Sequence, residues 1–210
     1  MSTVPENDPA AALGRADAAP AARTRTSADV ALVATFAAFV AVCALLPAIV
    51  VGGLSVPITL QTFGVMLAGV VLGPRRGALA VGLYLAVGFA GLPVFAEGTG
   101  GLAVIAKPSF GYLISFPLAA ALAGYLASFA LRVRPARRPL VFFAAAMAGS
   151  LLVTYPPGIA VLGWRMGLGP GEAIAFGATF LPGDVIKNVL VAVVAAAVFR
   201  AFPDMLRQRR

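Results

Sequence analysis

Six apolar stretches, at roughly 30–51, 59–73, 77–92, 109–131, 140–163 and 181–201, alternate with breaks rich in glycine, proline and arginine. A helix needs about 20 apolar residues to cross the hydrocarbon of a bilayer, with about 17–25 the usual range. The second and third stretches are short by that measure, and short glycine-rich spans tend to end at a pocket instead of at lipid. The pattern predicts an all-α integral membrane domain over residues 29–202, with six transmembrane helices and a substrate pocket open toward the outer side. Residues 1–28, "MSTVPENDPAAALGRADAAPAARTRTSA", have no apolar run and mix both signs of charge, which predicts a disordered cytoplasmic tail. No apolar run of about 7–15 residues precedes them, so a cleaved secretory signal is not expected. Residues 203–210 form a second, basic cytoplasmic tail.

Composition supports the membrane. Of 210 residues 60% are apolar and 11% charged, with a mean hydropathy of +0.95. A soluble domain of this size has too much surface for so few charges. The net charge of +8 raises nucleic acid as a partner, but its distribution answers to topology instead. Arg15, Arg23 and Arg25 precede the first stretch, Arg75 and Arg76 follow the second, and Arg132, Arg134, Arg137 and Arg138 follow the fourth. Arg200, Arg207, Arg209 and Arg210 close the chain. With six crossings all of these share one side, and the positive-inside rule then puts both termini in the cytoplasm of the plasma membrane. Only Lys107, Arg165 and Lys187 stand elsewhere, and no nucleic-acid partner is expected.

The residue inventory excludes several chemistries. There is no histidine, which removes Ser-His and Cys-His catalysis and the usual zinc motifs. The single cysteine, Cys43, forms no intramolecular disulfide. No P-loop occurs, so uphill transport by this chain would draw on a partner or an ion gradient. No metal or cofactor is expected.

Polar chemistry gathers at three places. "FLPGDVIKNVLVAVVAAAVF" (Phe180–Phe199) carries Asp184, Lys187 and Asn188 on one helical face at the head of an apolar span. One reading is an acidic N-terminal charge with a salt-bridged partner at i+3 near the interface. The favoured one is a binding cluster, in which Lys187 takes an anionic group and Asp184 accepts N–H donors. Intramembrane ionisable residues facing a bundle interior are a functional site by default. "GLPVFAEGTGGLAVIAKPSFGY" (Gly91–Tyr112) holds Glu97, Thr99, Gly100 and Lys107, and ends at Tyr112. Its glycines suit either an exposed flexible loop or a cradle of backbone amides around a small polar molecule. "GGLSVPITLQT" ends at Gln61, which opens the second stretch. A further connection, "GWRMGLGPGEAIAFGATFLPG", predicts a short helix from Pro170 to about Phe180. Small residues spaced by four, among them Ala34 and Ala38 in the first stretch and Gly69 and Gly73 in the second, suit packing within the bundle or a docking face.

The segments "VPITLQTFGVMLAGVVLGPRRGALAVGLYLAVGFAGLPVFAEGTGGLAVI", "GYLISF" and "FLPGDVIKNVL" resemble the BioY family, the biotin-specific S components of energy-coupling factor (ECF) transporters. The resemblance covers roughly residues 30–200. It implies six helices, biotin as the transported ligand, and no cofactor or enzymatic step. It matches Asp184 and Lys187 to the polar pair that helps hold biotin, and the loop Glu97–Gly101 to the part that helps close the pocket. The expected binding set is Asp184, Lys187, Asn188, Glu97, Thr99, Gly100, Tyr112 and Gln61, with Lys187 facing the valerate carboxylate. Implied partners are membrane lipid, a transmembrane T component that docks on Ala34 and Ala38, and two ABC-type ATPase subunits. The S component is expected to topple in the membrane, carrying its pocket across. The family commonly carries Gly-Pro-Thr before Gly-Tyr, whereas this chain reads "AKPSFGY", so Lys107 takes no role by resemblance. Glu97 stands where a small residue is frequent, which suits it to the ureido group or water. The competing readings are an S component for another water-soluble vitamin, a solitary biotin carrier without an ATPase module, and an ion-coupled carrier or channel. An intramembrane enzyme is disfavoured by the lack of histidine and of paired aspartates.

Overall fold

The computed structural model describes residues 18–47 and 59–207, with side chains described over 27–47 and 59–205. Helix α1 spans Ala18–Leu45 and so begins inside the stretch expected to be a tail. The alanines of "AAPAAR" favour helix, and Pro20 is tolerated in a first turn. The connection before residue 59 and the first 17 residues lie outside the described residues.

α2 (Gln61–Leu72) and α3 (Pro74–Phe89) are short, as the pattern predicts, and meet at Gly73. Gly73 takes φ 88°, a value open to glycine, and Pro74 opens α3, lacking only an N–H that would find no helical partner at that position. The turn folds α3 back along α2 so closely that only glycine fits between them. A Cβ on Gly77 would lie 2.7 Å from Gly69 Cα, and one on Gly124 2.6 Å from the Gly73 carbonyl carbon. A Cβ on Gly69 would collide with the Ala120 carbonyl. The Gly69–Gly73 spacing therefore serves packing within the bundle.

α4 (Phe110–Ala127) is the central helix, packed against α2, α3, α5 and α6. Its fully buried Ala119, Ala120, Ala123 and Ala127 let four neighbours approach one axis. α5 (Arg138–Ala148) runs through a π-helical turn, Gly149–Thr154, into α6 (Tyr155–Met166). Pro156 and Pro157 bring no N–H, and the wider turn absorbs them without ending the rod. α7 (Pro170–Ala178) is the short helix expected there, α8 (Leu181–Ala201) packs on α5 and α2, and α9 (Pro203–Arg207) closes the described chain. Met205 of α9 packs against the core, inside the stretch expected to be a tail.

Among the described residues, four helical segments are long and apolar enough to cross a membrane: Ser27–Leu45, Phe110–Arg132, Pro135–Met166 and Leu181–Ala201. α2 is shorter and apolar. Leu118, Leu140 and Leu152 point outward and exposed, an arrangement that suits lipid as solvent. Among the described residues there is no strand, only an isolated bridge between Phe95 and Thr99. The molecule is an all-helical membrane protein.

Candidate functional site: a cavity over a buried ion pair

The head of α8 supplies the deepest charges. Pro182 and Asp184 both fall in its first turn, where a proline costs no hydrogen bond and a carboxylate complements the positive end of the dipole. Asp184 and Lys187 are only 6% and 8% exposed. Lys187 Nζ donates to Asp184 Oδ1 at 2.9 Å and to Thr62 Oγ1 at 3.1 Å. Thr62 in turn donates to Asp184 Oδ1 at 3.1 Å, and the Tyr155 hydroxyl donates to Oδ2 at 3.0 Å. Two charges taken out of water are thus paired and hydrogen-bonded, the condition under which burial is tolerable.

That pair is the floor of a cavity of about 250 Å³. Phe95, Leu113, Phe116 and Phe180 make apolar walls, with Tyr112 among them. Tyr112 sits edge-on to Tyr155 (6.3 Å) and Phe180 (6.0 Å), and its buried hydroxyl has no hydrogen-bond partner. A buried polar atom without a partner is uncommon in a folded protein, and this one belongs to a residue lining the cavity. Gln61 lines the same cavity with its amide fixed, Nε2 donating to the Tyr84 hydroxyl at 2.7 Å.

The loop 90–109 forms the exposed side. Phe95 anchors it, buried edge-on against Tyr84 (5.4 Å) and Phe89 (5.3 Å), while Phe95 N–H donates to the Thr99 carbonyl at 2.9 Å. Glu97, Thr99 and Lys107 line the cavity here. Lys107 Nζ lies 3.3 Å from Thr99 Oγ1 and 3.7 Å from Glu97. Glu97 has φ 62°, the one positive-φ non-glycine among the described residues, and such outliers cluster at ligand clamps.

Six of the eight expected binding residues therefore meet around one space: Asp184, Lys187, Glu97, Thr99, Tyr112 and Gln61. Two do not line it. Asn188 lies a turn further along α8, and its Nδ2 donates to Ser150 Oγ (3.2 Å) and Met147 Sδ (3.0 Å), tying α8 to the α5 rod. At Gly100 a side chain would collide with the Leu92 carbonyl, so this glycine is there to let the loop fold back on itself. Thr62, Thr154, Tyr155 and Phe180, outside the expected set, also bond to or line the site. "TYPPG" carried a signal, two polar residues before a proline pair within an apolar span. Ala34 and Ala38 face outward on α1, while Ala37, Val40 and Ala44 face the core.

Fold and site define a helical membrane protein with a compartment for one small molecule, polar at both ends and apolar between. The chain belongs to the BioY family, whose model matches residues 16–204. A biotin transporter BioY of Rhizobium etli is 44% identical over 179 residues, covering 83% of this chain and 95% of its own. One from Rhodobacter capsulatus is 40% identical over 192 residues, covering 86% and 98%. The crystal structure of an S-component for biotin from an ECF-type ABC transporter superposes with a TM-score of 0.75 at 27% identity, covering 84% of this chain and 93% of that one.

Proposed function

We propose that this protein is the biotin-binding membrane subunit of a biotin uptake system. The observation that carries the reading is the buried Asp184–Lys187 pair on the floor of an aromatic-walled cavity, in a chain so similar to biotin transporters. Lys187 has an ammonium hydrogen beyond the two used by Asp184 and Thr62, and the Asp184 carboxylate has acceptor capacity beyond its three donors. A cyclic urea offers one carbonyl acceptor beside two N–H donors, which matches a neutral donor–acceptor couple. We assign the floor to the ureido ring, in place of the carboxylate role expected for Lys187, because that ammonium already has an anion at 2.9 Å. Tyr112 and Gln61 flank the ring, and the apolar walls take the thiophane and methylenes.

Purified protein should retain radiolabelled biotin and release it to excess unlabelled biotin, but not to thiamine or riboflavin. Retention of another vitamin in place of biotin would sink the assignment.

The reading includes six crossings, a cavity that opens outward, and cytoplasmic termini. In a background with Cys43 replaced by alanine, cysteines at Leu102 and Ala136 should label from opposite sides of right-side-out vesicles, Leu102→Cys from outside. Labelling of both from one side would end the six-span topology. It also includes a T component and ATPase subunits, with the outward face of Ala34 and Ala38 as the docking surface. Leucine at both positions should lower co-purification with these partners several-fold while biotin affinity stays within about twofold, because neither residue lines the cavity. Unchanged co-purification would remove that face from the docking surface. Flux through liposomes with and without the ATPase module separates this reading from a solitary carrier.

A further inference from the structure

Four charged side chains line the cavity, two at each end, and the ends differ in burial and in how tightly the charges are paired. At the floor, Lys187 is held at 2.9 Å and buried with Asp184. A ligand carboxylate placed there would lie beside the Asp184 carboxylate, and two like charges in a poorly hydrated site repel strongly. At the mouth, Lys107 is 3.7 Å from Glu97, well beyond the roughly 2.7–2.9 Å of a charge-assisted hydrogen bond. The two side chains are 37% and 57% exposed, so water screens their attraction and either partner is readily exchanged. A carboxylate keeps part of its hydration there and still gains a cation.

The lysine is also mounted firmly. Its own N–H donates to the Val104 carbonyl at 3.0 Å, its carbonyl accepts from Phe110 N–H at 3.1 Å, and Val104 is buried in the cavity wall. From α6, Arg165 Nη2 donates to the Ile105 carbonyl at 3.2 Å and pins the same turn. The backbone is fixed at both sides of Lys107 while its ammonium reaches Thr99 across the mouth.

The geometry points to Lys107 as the residue that receives the carboxylate of the ligand, with Glu97 as the partner which that carboxylate displaces. This rests on the biotin reading and deepens it: Lys107 selects molecules that carry an anionic tail, and the floor reads the ring. Glu97 then sets a competition, because its own carboxylate must yield the ammonium before the ligand gains it. Thr99, whose hydroxyl donates to the Ala96 carbonyl at 2.9 Å, supplies a neutral contact to Lys107 that survives the exchange.

The test compares biotin with biotin amide, which keeps the ring and the chain but loses the charge. Lys107→Ala should weaken biotin about tenfold, equal to about 1.4 kcal/mol, and leave biotin amide within about twofold. Lys107→Arg should recover most of the loss, and Glu97→Gln should tighten biotin a few-fold without moving the amide. The wild-type preference for biotin over the amide should shrink as salt is raised, since the mouth is exposed. Binding of the amide by Lys107→Ala certifies that the variant is folded. If both ligands weaken alike in that variant, or the ratio does not change, Lys107 only supports the loop and the assignment falls. If instead Lys187→Met abolishes the preference while Lys107→Ala keeps it, the carboxylate lies at the floor. Wild-type protein that binds neither ligand overturns the biotin reading itself, and this assignment with it.

Discussion

Asp184→Ala protein should lose biotin binding and much of its thermal stability together. The substitution leaves the Lys187 ammonium buried with Thr62 as its one remaining partner and removes the acceptor of the Tyr155 hydroxyl. Breaking a buried ion pair from one side costs about 3–5 kcal/mol, mostly because the other charge is stranded. At about 1.4 kcal/mol per decade that is a factor of roughly 150 to several thousand. Removing both charges differs, since a well-packed neutral replacement of a buried pair is often neutral or stabilising. Asp184→Leu combined with Lys187→Met should therefore melt near the wild-type temperature and still fail to bind biotin. Melting in detergent and equilibrium binding on the same preparations separate the two roles. A stable double variant that binds biotin normally would reduce the pair to two charges neutralising each other near an interface.

Gly69→Val should be strongly damaging although it lies away from the cavity. Its Cβ would collide with the Ala120 carbonyl, which is backbone, so no side chain can swing aside. Overpacking a core costs about 1–3 kcal/mol, occasionally more, and a backbone obstacle puts this case at the upper end. The displacement also reaches the site, because α2 carries Gln61 and Thr62 into the cavity at its other end. Both melting temperature and biotin affinity should fall. Gly82→Val on α3 is the control: nothing lies within 4 Å of the position its Cβ would take. Equal losses from the two substitutions would show that helix propensity, not contact between α2 and α4, explains the effect.

Periodicity in the chain marked which segments are helical and which face of α8 is polar, and it went no further. Asp184 and Asn188 share a face by spacing, yet one meets the cavity and the other lies beneath its floor, against Ser150 and Met147. A helical wheel gives direction and no depth. Thr62 bonds to Asp184 across 122 residues of sequence, and Tyr155 across 29. No local pattern announces such partners, and both are ordinary polar members of apolar stretches. Gly100 is glycine because the Leu92 carbonyl stands where its side chain would be, a reason that exists only in three dimensions. The early start of α1 had a local cause, alanine propensity, which the charged character of the segment concealed.

The internal pairing of Asp184 with Lys187 has an electrical consequence. A potential of 100 mV across a membrane does about 2.3 kcal/mol of work on each elementary charge that traverses it. At the floor of the cavity the two charges cancel within 2.9 Å, so the field finds a small dipole and no net charge to pull. Moving the pair through that field would therefore take far less electrical work than moving either charge alone.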